Sequence, residues 1–518
     1  MDYLALALAA SKKGGGPTPT GEISITSNGV YDVTGFASAD VNVSASNFPC
    51  LTFSSPNTFK ISRRSPTTPH AWEGIVEFSL DLINWLEFQD NTEITSELAD
   101  NVYYIYMRGM GNTVIGGSSS AHALSIVGAN VSCSGNIMSL LDCRTVSAPS
   151  FATLTSKYTF AYLFQGNTSL ISAPDLPATK LSSSCYRCMF DGCSNLSVAP
   201  ALPATTMVSE AYEYMFRGCT ALTTPPSLPA TVLASSCYYG MFYNSGITIA
   251  PALSATLTSG CSSCYFSMFS GCSNLTMPPA LPSLTLAYDC YNSMFSSSGI
   301  TTAPALPATT LVSSCYNMMF SNCNGLTVAP ALPAESVGQD CYHGMFYKCA
   351  NLTTLSAIGM TTVTGNNACN QMFYDCANLT TAPAVLPPTN LYHSCYAEMF
   401  AGCVSLTTVP ALPALTVNIY SYRRMFRGCT SLLSLPELPA TTLANGSYER
   451  MFEGCTGIKV SETQTADCPN AYRIPVSGSG STGNGSLDAM FQGTGGAFTG
   501  TPVINTTYYT NATIVSAA

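Results

Sequence analysis

A Met-Phe pair, Leu-Phe once, returns along the chain with its phenylalanine at 164, 190, 216, 242, 269, 295, 320, 346, 373, 400, 426, 452 and 491. The steps are 26, 26, 26, 27, 26, 25, 26, 27, 27, 26 and 26 residues, and a last one of 39. A period held this long restricts the chain to a stack of repeats, because so short a unit cannot bury its own apolar edge without neighbours. The unit reads CYxxMFxGCxxLTxxPxLPATTLxSS and stands nearly intact from Cys315. Cys315, Tyr316, Met319, Phe320 and Cys323 fall at i, i+1, i+4, i+5 and i+8, which predicts about two turns of helix with this stripe turned inward. Leu326, Ala329 and Leu332 follow, with Pro330 and Pro333 among them. They predict a very short strand or extended segment, since proline cannot donate to a continuous ladder.

The order of aromatic-bearing turn, Gly-Cys, Leu-Thr and proline-bounded segment resembles the BspA-like class of leucine-rich repeat, whose units run AFxxCxxLxxIxIPxxVxxIG. Met-Phe stands where that class has Ala-Phe, and Gly192-Cys193, Gly271-Cys272 and Gly402-Cys403 follow at the same offset. The resemblance covers residues 150–458. It implies an α/β repeat fold, a leucine-rich-repeat-like solenoid of about twelve 26-residue coils, and at strand spacing about 55–60 Å of stack. The class serves bacterial surface adhesins, protozoan surface proteins and phage virion proteins alike.

The flanks differ in texture. Residues 1–20 are expected to form an N-terminal helix over the apolar MDYLALALAA and a Gly/Pro linker after it; Asp2, and Lys12 and Lys13 placed after the apolar run, read against a secretory leader. Residues 21–47 alternate apolar and polar around Asn28-Gly29 and Thr34-Gly35, a β-hairpin-like signal. Within them, residues 23–44 resemble attachment modules of phage structural proteins. Residues 48–149 carry the strand-like runs IVEFSLDLINWLEF at 75–88 and VYYIYMRG at 102–109, which predict a β-rich domain capping the first coil. Residues 459–518 lose the period, pass through SGSGSTGNGS and hold one late Met490-Phe491, as an atypical C-terminal cap would.

Charge limits the partners. Only 9% of residues are charged and the net charge is −10, so neither nucleic acid nor an anionic membrane surface is an expected partner. A 46% hydrophobic content excludes disorder as the main state, and no apolar run approaches the roughly 20 residues of a membrane span. Between Arg217 and Lys348 there is no Lys or Arg, an arrangement that suits a protease-rich setting.

The 23 cysteines are expected to be buried thiols. On a helix, positions eight apart lie about 12 Å from each other, too far for a disulfide, and stacked helical segments are expected to hold cysteines of neighbouring coils apart as well. The two CxxC pairs, Cys185/Cys188 and Cys261/Cys264, lack a second pair or histidines at zinc spacing. His70, His122, His343 and His393 lie far apart in sequence, and no phosphate loop, nucleophile elbow or HExxH is present. No catalytic residue, metal or cofactor is therefore expected, and the chain is not expected to be an enzyme.

Charged side chains fall on the non-stripe side of the turn segment and read as a solvated face, with Arg423, Arg424, Arg427 and Arg450 as a candidate anion or partner patch. Tyr239, Tyr243, Phe266, Tyr347 and Tyr374 lie outside the inward stripe and are candidate anchors for a sugar or a protein partner. The expected function is a phage virion structural or adhesion protein, placed on the virion exterior and presenting the solenoid to a host surface protein or glycan. Residues 1–47 would then join it to other virion proteins. The alternatives are a bacterial cell-surface adhesin, outside the cell, and an architectural subunit that forms homo-oligomers through the uncharged LTxxPxLPATTL face.

Overall fold

The computed structural model describes residues 24–25, 31–32, 49–65, 67–144, 152–386 and 391–516. The helix expected over residues 1–10 and most of the attachment module lie outside them. Within that module β1 (Ser24–Ile25) and β2 (Tyr31–Asp32) pair antiparallel, Ser24 opposite Asp32.

Residues 49–144 form two facing sheets. The larger contains β3 (Leu51–Ser55), β5 (Ile75–Ser79), β6 (Leu86–Glu87), β8 (Glu97–Ala99), β9 (Val102–Met110) and β11 (Val131–Ser134). The smaller has β4 (Lys60–Arg63) between β10 (Leu124–Val127) and β7 (Glu93–Thr95). Leu51, Phe53, Ile61, Ile105, Leu124 and Ile126 are buried in the core they share. The larger sheet continues into the repeats, where β12 (Leu170–Ser172) runs parallel to β11, and the ring of Phe53 meets Phe164 edge-on at 6.2 Å.

Each coil opens with the CYxxMFxGC segment, and here the expected helix is not what forms. Three residues, four apart, have left-handed backbone: Ser184, Cys188 and Gly192 at φ of 55°, 52° and 75° in one coil, with the same spacing at 314, 318 and 322 and at 446, 450 and 454. A left-handed residue at every fourth position breaks the α-helical hydrogen-bond path. The donors divide instead. Cys185, Arg187 and Met189 N–H donate to carbonyls three residues back, closing tight turns. Ser184, Tyr186, Cys188 and Phe190 N–H donate to the carbonyls of Ser209, Ala211, Glu213 and Met215 in the next coil. Backbone groups are thus satisfied along the stack rather than along a helix axis. Among the described residues the one α-helix is a single turn, α1 (Ser139–Asp142).

The inward stripe is as expected: Cys315, Tyr316, Met319, Phe320 and Cys323 are at most 2% exposed. Its rings form ladders. Thirteen phenylalanines, Phe164 to Phe491, stack with successive centroids 5.5–5.9 Å apart. A tyrosine ladder runs beside them from Tyr186 to Tyr342 and again from Tyr396 to Tyr448. The gap falls where Cys369 takes the tyrosine position and Met360 brings its sulfur within 3.7 Å of that thiol. Ring spacing exceeds the roughly 4.8 Å of paired strands, so an estimate of stack length from strand spacing is too short.

The proline-bearing half of each coil is extended, and its neighbours touch through isolated parallel bridges such as Thr206 to Val232, Leu332 to Ile358 and Thr416 to Thr442. Stacking continues past residue 458. Residues Val460–Ser461, Asn470–Arg473 and Thr507–Thr510 make a small antiparallel sheet, and between its last two strands in the sequence the chain returns to the stack, with Gly485, Ala489 and Gly493 left-handed and Phe491 on Phe452 at 5.9 Å. The long last step of the period is an excursion followed by one more run of turns.

The inter-coil ladder has closed ends. At the start, Ile115 and Gly116 N–H donate to the Thr159 carbonyl and Leu124 N–H to that of Leu163. At the finish, Ala489 N–H donates to Thr501 Oγ1 at 2.7 Å and Phe491 N–H to the Gly500 carbonyl. No helix among the described residues is long and apolar enough to cross a membrane.

Candidate functional site

Alternation within the turn segment buries Tyr, Met and Phe and turns their neighbours outward, so the position before Met-1 and the one after Phe form two columns along the stack. The first runs Arg187, Glu213, Tyr239, Phe266, Asn292, Asn317, His343, Asn370, Ala397, Arg423 and Glu449. The second runs Asp191, Arg217, Tyr243, Ser270, Ser296, Ser321, Tyr347, Tyr374, Ala401, Arg427 and Glu453. Charge in these two columns gathers at their ends, while Asp289, Asp340 and Lys348 stand beside their middle.

At both ends the charges pair between coils. Arg187 meets Glu210 and Glu213 at 3.0 and 3.1 Å, and Arg217 meets Asp191 at 2.6 Å while lying over the Tyr214 ring. Arg423 meets Glu449 at 2.9 Å, Arg424 meets Glu398 at 3.5 Å and Arg427 meets Glu453 at 3.0 Å, while Arg450 meets Glu453 of its own coil at 3.0 Å. Three carboxylates thus face the four arginines proposed as a patch, Glu453 being shared by Arg427 and Arg450. Asp191 and Glu213 depart from the expected solvated face, for both are buried, and burial pushes the Glu213 carboxyl up to about 7 against the pull of Arg187. Exposed pairs of this kind contribute at most about 1 kcal/mol each.

The middle carries all five aromatic candidates, half-buried. The Tyr239 and Phe266 rings stack face to face at 4.6 Å, and Tyr347 and Tyr374 do so at 4.9 Å, with Lys348 over Tyr347. Tyr243 stands in the second column beside the first pair. Asn292, Ser296, Asn317 and His343 share this stretch and were not singled out by sequence reasoning; their signal is their place in the same two columns.

The cysteines line the interior. All 23 are buried and free. Those after Met-Phe donate their thiol to the phenylalanine carbonyl of the preceding coil, as Cys193 Sγ does to Phe164 at 3.0 Å and Cys455 Sγ to Phe426 at 2.9 Å. Burial pushes such thiols up, Cys193 and Cys455 to about 12. Equivalent rings 5.5–5.9 Å apart put neighbouring coils within reach of a disulfide's usual Cα separation of about 4.4–6.8 Å. The expected distance between stacked cysteines is corrected accordingly. Desolvated thiols react slowly. Folded protein is therefore expected to leave all 23 cysteines unlabelled by a thiol reagent over minutes and unfolded protein to expose all of them; labelling of several cysteines without loss of ordered structure would contradict this packing.

The histidines stay apart. His70 contacts Asp90 at 3.0 Å and stacks on Trp72 in the N-terminal sheets, where the buried Arg63 also bonds Asp90. His122, His343 and His393 lie elsewhere, and among the described residues no three His, Cys, Asp or Glu side chains are grouped to hold a metal ion.

A family model for the BspA type leucine rich repeat region matches in six copies, over stretches that together span residues 152–465. No curated protein and no solved structure matches the chain. The repeat stack and its match over more than half of the sequence agree, and the chain belongs to the BspA-type leucine-rich-repeat family.

Proposed function

We propose that the chain is a non-enzymatic adhesion protein, about twelve full coils closed by a β-rich cap at each end, whose turn face carries the binding surface. The observation behind this reading is the distribution of that face. Ion pairs occupy its two ends, while five half-buried aromatic side chains gather in its middle. Aromatic residues supply contact area at small entropic cost, which suits them to anchor a partner. The repeat family supports the adhesion role. The setting on the exterior of a phage particle, with residues 1–47 as the attachment, rests on the resemblance of residues 23–44; a bacterial surface is the alternative setting.

Mass spectrometry of purified phage particles and of washed host cells tests the setting. Peptides of this chain beside capsid or tail proteins support the particle, and peptides on cells alone replace it by the bacterial surface. Adhesion itself is tested with purified full-length protein on intact cells: saturable binding is expected, and its absence across candidate hosts would remove the reading.

A further inference from the structure

We propose that the proline-bearing face of the stack is an interface between two copies of this chain, packed antiparallel, which leaves both turn faces uncovered. This does not depend on what the turn face binds.

The face is apolar and almost without charge. The extended halves of the ten coils from Phe190 to Phe426 hold two charged residues, Glu335 and Glu437, in a chain of net charge −10. Large apolar side chains nevertheless stand out from it: Val198, Val232, Ile249, Met277, Leu284 and Val328 are 46–67% exposed. Ala252, Leu253, Pro279 and Pro282 of two adjacent coils line an open groove of about 570 Å³. Exposed apolar surface of this kind, depleted of charge, has the composition of an interface core.

Charge and size select a second copy as the occupant. Two chains of net charge −10 repel wherever their charged surfaces meet, so self-association is directed to a face that lacks charge. A two-fold axis across the stack sets each column of side chains against itself in reverse order. Full overlap of the ten coils places that axis between the coils of Phe295 and Phe320. Glu335 then lies over the extended half of the Phe295 coil and Glu437 over that of the Phe190 coil, both uncharged. In one column Ile249 meets Thr381, Met277 meets Thr354 and Val328 meets Thr302, so each large side chain faces a smaller one. In another, Val385, 56% exposed, meets Ala252 at the groove.

The area is sufficient. From the Phe190 ring to the Phe426 ring the ladder spans about 51 Å. A stable dimer covers about 800 Å² of each partner, here a strip about 16 Å wide, or about five residues of extended chain. From Val198 to Thr206 one coil offers nine.

The test is sedimentation velocity on the purified full chain from about 1 to 100 µM, the range in which an interface of this size associates. A dimer is expected throughout. Ile249→Glu and Met277→Glu are each expected to weaken it about tenfold or more, with an unchanged circular dichroism spectrum because both side chains lie outside the core. Arg427→Gln, on the turn face, leaves it unchanged. Under mild oxidation the double variant Met277→Cys/Thr354→Cys should form a disulfide-linked dimer and either single variant none, since each position faces the other across the axis. A chain monomeric over the whole range, a dimer indifferent to both glutamate substitutions, or a linked dimer from Met277→Cys alone would overturn the proposal. A monomeric chain whose adhesion to cells is lost with Met277→Glu would give the face to a host partner instead. Dimerisation without adhesion would uphold the proposal and remove only the adhesion reading.

Discussion

Phe320→Ala is expected to cost about 3–5 kcal/mol, the range for removing a fully buried ring from a site that cannot collapse. Phe320 is wholly buried between Phe295 and Phe346, with ring centroids at 5.8 and 5.5 Å, and the backbone ladder on either side holds those neighbours in place. Stability in a stack adds coil by coil through nearest-neighbour contacts. The damage should therefore show as a break: chemical denaturation in two steps, and amide exchange fastest near residues 295–346. Phe320→Leu should lose less than half as much. A change under about 1 kcal/mol, or exchange raised evenly along the chain, would mean that the ladder does not carry the coupling between coils.

The second large effect concerns register. Deleting residues 315–340 joins Ser314 to Cys341 and removes one coil of 26 residues, so that every remaining turn segment meets an equivalent one. Such a protein is expected to fold, with a melting temperature within a few degrees of the parent. Deleting only residues 315–327 sets an extended, proline-bearing segment against a turn segment. Phe295 then keeps the Phe269 ring but loses the Phe320 ring on its other side, and the carbonyls of Asn317 and Met319, which accept from Ser293 and Phe295, are gone. That variant is expected to be recovered as aggregate or to melt far below the first. Circular dichroism and size-exclusion chromatography on the pair decide it, and equal behaviour of the two would refute stacking in register.

The repeat, its inward stripe and the stacking of coils are all legible in the sequence, because burial of Tyr316, Met319 and Phe320 in each unit recurs at a fixed interval. The helix is not what that stripe encodes, and the reason lies in its period. Apolar residues at i, i+1, i+4, i+5 and i+8 repeat every four positions, whereas 3.6 residues per turn would carry the eighth residue well off the stripe. Residues at 192, 218, 271, 402, 428 and 454 are glycine, and 244, 322 and 375 are Asn or Asp, at one left-handed position of the coil. These are the residue types that tolerate such backbone. The other two left-handed positions hold Tyr, Glu, Met and Arg as readily, at 214, 398, 318 and 424, and hide the signal. Gly246 is read as glycine for another reason: a Cβ there would overlap the Thr220 carbonyl oxygen.

At the candidate site, sequence position alone separates the aromatic residues from the core. The sequence shows Glu449 and Glu453 beside the arginine group; it does not show that Arg423 pairs with Glu449, Arg424 with Glu398 and Arg427 with Glu453, since these partners lie one coil away and alignment of columns requires the turn geometry. Nor does it show that Asn292 and Asn317 share a stretch with Phe266 and Tyr347, which lie 81 residues apart in the chain.

The amides of the turn ladder all point from each coil toward its successor, so this edge of the stack is a one-way track with a giving end and a receiving end. Left open, the last coil of one molecule would be chemically matched to the first coil of another, and the chain would be a monomer of a filament. Gly500 and Thr501 occupy the one end, and Ile115, Gly116 and Leu124 the other. The few residues at these two termini of the track set the molecule's length as surely as its number of repeats does, and they keep growth along the axis from continuing into a second copy.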